Sequence, residues 1–168
     1  MKSLPMRTAV GSALLGIAAF SANALSAAQP EPGRNFTLAA PALDLVWIAP
    51  GEFLLGSPAD ENSRGLDEGP QTRVTITRGF WLSRTEVTQA QWRSVMSTSP
   101  SRFHGDPLPV EQVSWYEAAE FCRRITERER AAGRLPAGYV YALPTEAQWE
   151  YAAKAGAGGA FTGKVDGL

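Results

Sequence analysis

A single thiol, a single imidazole and two groups of carboxylates are the side chains in this sequence with the chemistry for a reaction. Cys122 could act as a nucleophile, but a thiol needs a base within reach to form the thiolate. His104 is the only histidine, in the run Ser101-Arg102-Phe103-His104-Gly105-Asp106, and nothing in the spacing brings it to Cys122. Cys122 also falls between Phe121 and Arg123 on the apolar side of a helical pattern. Apolar surroundings raise a thiol's pKa and leave it a small hydrophobe. Its expected role is packing. The run around His104 reads as a loop, with no second His or Cys beside it to complete a metal site.

The carboxylates form two groups. Asp60, Glu61, Asp67 and Glu68 share one polar stretch but lack the alternating oxygen spacing of a calcium loop, so they read as a solvated loop. Glu146 and Glu150 lie one helical turn apart, where paired carboxylates could do acid–base work. The first turn of a helix favours acidic residues through its dipole alone, which is the simpler reading. From the residues themselves, no catalytic, cofactor-binding or metal-binding position is assigned.

The elements that must position these groups are legible in part. Leu43–Ile48 and Glu52–Gly56 are apolar, β-prone runs on either side of Pro50-Gly51, and are expected to form a hairpin. Ser57–Pro70 is a loop, and Arg73–Thr77 and Phe80–Leu82 are strand-like. Three helix starts follow, each with a hydroxyl residue and a Gln or Glu three positions on: Thr88/Gln91, Ser114/Glu117 and Thr145/Gln148. In a capping box the hydroxyl accepts from a free backbone N–H and the N3 side chain reaches back to the cap. In the second helix Trp115, Ala118, Cys122 and Ile125 recur at three- and four-residue steps, predicting one buried stripe. Arg123, Arg124, Glu127, Arg128 and Arg130 fall mostly on its wet face, and Gly133 is expected to stop it. In the third, Trp149 and Ala153 share a face expected to enter the core, with Gly156 as the stop. Strands first and helices after indicate an α+β fold.

The 168 residues carry 16 Lys+Arg against 17 Asp+Glu, for a formal net charge of −1. That balance gives no basic face for nucleic acid. One cysteine and one histidine exclude a four-ligand Cys/His zinc site and an internal disulfide within these residues. Lys2 and Arg7, an uncharged apolar stretch from Ala9 to Phe20, and Ala22-Asn23-Ala24 match a secretory signal peptide over residues 1–24. The alternative, an uncleaved anchor, is disfavoured because the apolar stretch falls short of the roughly 20 residues a spanning helix needs. Cleavage shifts the formal charge from −1 to −3 and sends the chain to the periplasm or outside the cell, with no stable membrane insertion afterwards. Residues 25–42, rich in Ala, Pro and polar residues, read as a flexible lead-in to a domain over 43–168.

Four stretches together resemble the formylglycine-generating enzyme family, also called sulfatase-modifying factor domains. Pro50-Gly51-Glu52-Phe53 through Gly56-Ser57 is similar to the family's opening "pGeF.MGS", with Leu55 in place of Met. Thr85-Glu86-Val87-Thr88 through Trp92 resembles its "EVT" helix start, and Leu108-Pro109-Val110 through Val113-Ser114-Trp115 its "hPV..VSW". Leu143-Pro144-Thr145-Glu146-Ala147-Gln148-Trp149-Glu150-Tyr151-Ala152-Ala153 is similar to "LPTEAEWEYAA", with Gln148 for Glu and Ala142 where Arg usually precedes. The resemblance covers roughly 43–168 and implies a C-type-lectin-like fold. It also implies an oxidoreductase that uses oxygen and copper to convert a cysteine of a target protein, such as a sulfatase, to formylglycine. The family's copper-binding cysteine pair, its later "GN.WEW" and "RGGSW" motifs and its main calcium-ligand segment have no counterpart here. The resemblance therefore implies the N-terminal portion of such a domain, incomplete at its C-terminus, with copper and calcium expected only of a full-length member. Two alternatives are a non-catalytic lectin-like binding or assembly module and, ranked below it for want of a His-rich N-terminal domain, an iron-dependent sulfur–carbon bond-forming relative.

Overall fold

The computed structural model describes residues 29–62 and 64–155, so the segment read as a signal peptide and the expected helix stop at Gly156 lie outside the described residues. The chain runs β1 (Phe36–Ala39), β2 (Ala42–Ile48), β3 (Gly51–Leu55), β4 (Thr72–Ile76), β5 (Phe80–Ser83), α1 (Gln89–Met96), α2 (Trp115–Ala131) and α3 (Glu146–Lys154). All its strand pairs are antiparallel, in an α+β arrangement of a three-stranded sheet β1-β2-β5 and a two-stranded sheet β3-β4. Alternation builds the first sheet's buried face. Leu38, Leu43 and Leu45 point to one side and are buried, while Thr37 and Asp44 point to the other and hydrogen-bond each other at 2.7 Å.

Four sequence expectations change here. The hairpin expected across Pro50-Gly51 does not form: β2 pairs with β1 and β5, and β3 pairs with β4. Both edges of β2 are taken, so β3 has no place beside it. Part of the lead-in is structured, since Phe36–Ala39 is β1, whose Leu38 joins the core. The α2 stripe is also rotated from its expected position. Phe121, Ile125, Thr126 and Glu129 are buried, Ala118 and Cys122 are half-buried, and Trp115 is 66% exposed. The helix meets α1 and the sheet through its middle turns, so Trp115, in the first turn, overhangs them. Trp149 likewise stays exposed, because α3 docks through other side chains.

The three capping boxes form as expected. The backbone N–H groups of Thr88, Ser114 and Thr145 donate to the Gln91, Glu117 and Gln148 side chains at 2.8, 2.8 and 2.9 Å. Gly133 does end α2, at φ +69°. Its N–H donates to Arg130 O at 3.0 Å and the Arg134 N–H to Glu129 O at 2.9 Å, the paired bonds of a Schellman motif. That motif places the Arg134 guanidinium on Glu129, which accepts from it at 2.6 and 2.7 Å. A carboxylate only 1% exposed is thereby paired and hydrogen-bonded.

The core cluster is Leu38, Leu43, Leu45, Trp92, Phe121 and Ile125, with Trp92 and Phe121 stacked at 5.3 Å between α1 and α2. Gln89, buried at the start of α1, donates to Phe103 O and Pro109 O and accepts from Gly105 N. One amide thus holds the loop that carries His104. α3 anchors the second sheet. Glu150 Oε1 accepts from Gly56 N at 2.8 Å, and Lys154 Nζ donates to Leu54 O and Gly56 O at 2.8 and 3.1 Å. Tyr151 lies on Phe53 at 5.3 Å. Gly56 is required at that turn: its φ is +92°, and an added Cβ would sit 2.4 Å from the Glu68 carbonyl oxygen.

Candidate functional site: a cleft on an open strand edge

The strand ladder itself leaves backbone groups to be satisfied at β5. The Arg84 N–H donates to Asp44 O at 2.8 Å, one step beyond the Leu45↔Ser83 pair. Hydrogen-bonded and non-hydrogen-bonded pairs alternate along an antiparallel ladder. Val46↔Leu82 and Ile48↔Phe80 are therefore the bonded pairs, and the N–H and C=O groups of Trp81 and Ser83 point away from β2. Among the described residues no strand pairs with that edge.

Along this edge runs a cleft of about 460 Å³, lined by apolar side chains that include Leu45, Trp81, Phe121, Tyr139, Tyr141 and Leu143. Its far wall is the 135–144 segment, which is held to α2 at Thr126. The Tyr141 N–H donates to Thr126 Oγ1 at 2.9 Å, and the hydroxyl donates to Cys122 O at 2.9 Å. Trp81 braces the near wall: its indole N–H donates to Arg34 O at 2.8 Å and its ring meets Tyr139 at 5.4 Å. Burial, and then the charge of Glu129, push the Tyr141 phenol up to about 12, so it remains a neutral donor at neutral pH. A second groove of about 400 Å³ lies between α2 and the 140–143 run, with exposed Trp115, Val140 and Leu143 on its rim. An unpaired strand edge beside an apolar trough is the geometry that accepts an added extended strand, backbone on backbone and alternate side chains in pockets.

The residues singled out for chemistry are not brought together. Cys122 is half-buried and lines both grooves, and burial pushes its thiol up, as the apolar run implied. His104 is exposed on its loop and lines neither groove. Within the acidic loop Glu68, itself exposed, accepts from Ser57 Oγ at 2.6 Å and Gly65 N at 3.1 Å. The Ser57 hydroxyl first, then the Gly65 N–H, hold its carboxyl below the usual range. Asp60 and Asp67 remain exposed. Glu150 serves as the α3 anchor, while Glu146 is exposed in the first turn, so they do not form a carboxylate pair. Sequence reasoning missed the β5 edge, the buried Glu129–Arg134 pair and the Glu150–Lys154 clamp. Of these only the last carried a signal, a Glu and a Lys four residues apart on one helix.

Copper, implied by the family resemblance, does not fit these residues. Thiolate coordination of copper needs at least two soft donors in reach. The chain has one thiol, turned into an apolar wall and made harder to ionise. Among the described residues no three His, Cys, Asp or Glu side chains converge on a point where they could hold an ion.

The comparisons identify this α+β domain as one of the formylglycine-generating-enzyme type. Residues 31–165 match the family described as the sulfatase-modifying factor enzyme 1-like domain, and the chain belongs to that family. It is 34% identical over 147 residues to the chaperone protein LppX of Paenibacillus barcinonensis, an alignment covering 67% of this chain and 46% of that protein. PvdO from Pseudomonas aeruginosa shares the fold, with a TM-score of 0.65 at 24% identity, over 79% of this chain and 55% of the other. The Treponema denticola variable protein 1 superposes with a TM-score of 0.55 at 26% identity, over 73% and 56% of the two chains. The chain thus spans about half the length of the relatives it matches.

Proposed function

We propose that this protein is an extracytoplasmic member of the family that binds another polypeptide, and that the cleft along β5 receives an extended segment of it. The observation that carries this reading is the edge of β5 at Trp81 and Ser83, unpaired among the described residues, beside an apolar trough that both residues line. Such an edge supplies backbone donors and acceptors at two-residue spacing, and the trough takes every second side chain. A relative of 34% identity named as a chaperone supports a polypeptide as the partner. The signal-peptide pattern over residues 1–24 supports a periplasmic or secreted location. No helix among the described residues is long and apolar enough to cross a membrane.

The test is amide exchange by NMR on the chain, with and without a reduced, carboxymethylated protein that stays unfolded. Exchange at Trp81 and Ser83 is expected to slow at least roughly tenfold on binding. Unchanged rates at both amides with the unfolded protein in saturating excess would overturn the reading.

A second reading, oxidation of a target-protein cysteine to formylglycine, as in a sulfatase, draws its support from the family match. It assigns the described residues to the scaffold and to target binding, since Cys122 is the one thiol of the chain. Conversion of a cysteine peptide to formylglycine under oxygen by the protein isolated from its natural source would establish it and displace a purely binding role, and no conversion by that protein would rule it out.

A further inference from the structure

We draw no further inference here: the strongest candidate outside the cleft already described, the exposed aromatic patch of Trp115 and Tyr116 at the head of α2, is an unpartnered apolar face, and nothing in the structure shows what covers it.

Discussion

Replacing Lys154 by Met should detach the β3-β4 sheet from the rest of the molecule without unfolding the core. The ammonium joins three oxygens: Glu150 Oε1 at 2.6 Å, Leu54 O at 2.8 Å and Gly56 O at 3.1 Å. The Lys154 and Glu150 side chains are only 18% and 21% exposed. Methionine keeps an apolar stem near the Phe53 ring, which lies 5.7 Å from Nζ, so the change isolates the charge and its hydrogen bonds. Breaking a fully buried pair costs about 3–5 kcal/mol because one charge is left behind. Here water reaches about a fifth of each side chain, and Glu150 keeps the Gly56 N–H, so the expected loss is about 2–3 kcal/mol. Glu150→Gln preserves an acceptor for Gly56 N and leaves Lys154 its two carbonyl partners, so it should cost about 1 kcal/mol. Denaturant unfolding gives the two totals, and hydrogen exchange locates the effect. Amides in the Phe53↔Val74 ladder should exchange faster in Lys154→Met, while those in the Leu45↔Phe36 ladder should not. Equal losses from the two variants, or acceleration spread evenly over both sheets, would refute the clamp.

The tryptophans should separate by position: Trp92→Ala should cost about 3–5 kcal/mol, and Trp149→Ala, at a site 60% exposed, about 1 kcal/mol or less by denaturant unfolding. Thr145→Ala removes the cap of α3 and should cost about 1 kcal/mol in the same assay. Cys122→Ser should lower the melting temperature through a loss of about 1–3 kcal/mol, as a hydroxyl enters an apolar wall. Cys122→Ala should leave Cu(I) binding as weak as in the parent chain, and stoichiometric copper lost on that change would show a working thiol site. Glu120 is held down to about 2 by the Arg123 guanidinium first and Arg124 next. Because its folded pKa lies below the ordinary value of 4.5, its contribution to stability is present above that value and lost as pH falls towards about 2. An NMR titration should place the Glu120 midpoint near 2 and move it upward in Arg123→Ala, whereas a midpoint near 4.5 in the parent would mean the ion pairs of Glu120 with Arg123 and Arg124 are absent in solution.

What the sequence determined by itself is local. Each capping box needs only a hydroxyl and an amide or carboxylate three residues apart, and all three formed where they were read. Gly133 ends α2 for an equally local reason, the low cost of a left-handed residue without a Cβ. The family was legible too, because motifs such as Pro50-Gly51-Glu52-Phe53 and Leu143-Pro144-Thr145-Glu146 keep their order along the chain. The raised pKa of the Cys122 thiol followed from its apolar neighbours. Tertiary structure alone decided partners and faces. Nothing in the run Leu43–Ile48 says that β1 and β5, rather than β3, will take its two edges, since any antiparallel neighbour satisfies the same backbone groups. The α2 stripe could be drawn through Trp115 and Cys122 or through Phe121 and Ile125, and only the position of Trp92 and the sheet selected the second. That the β5 edge is unpaired among the described residues is likewise invisible in sequence, because whether Trp81 and Ser83 find partners depends on residues distant along the chain.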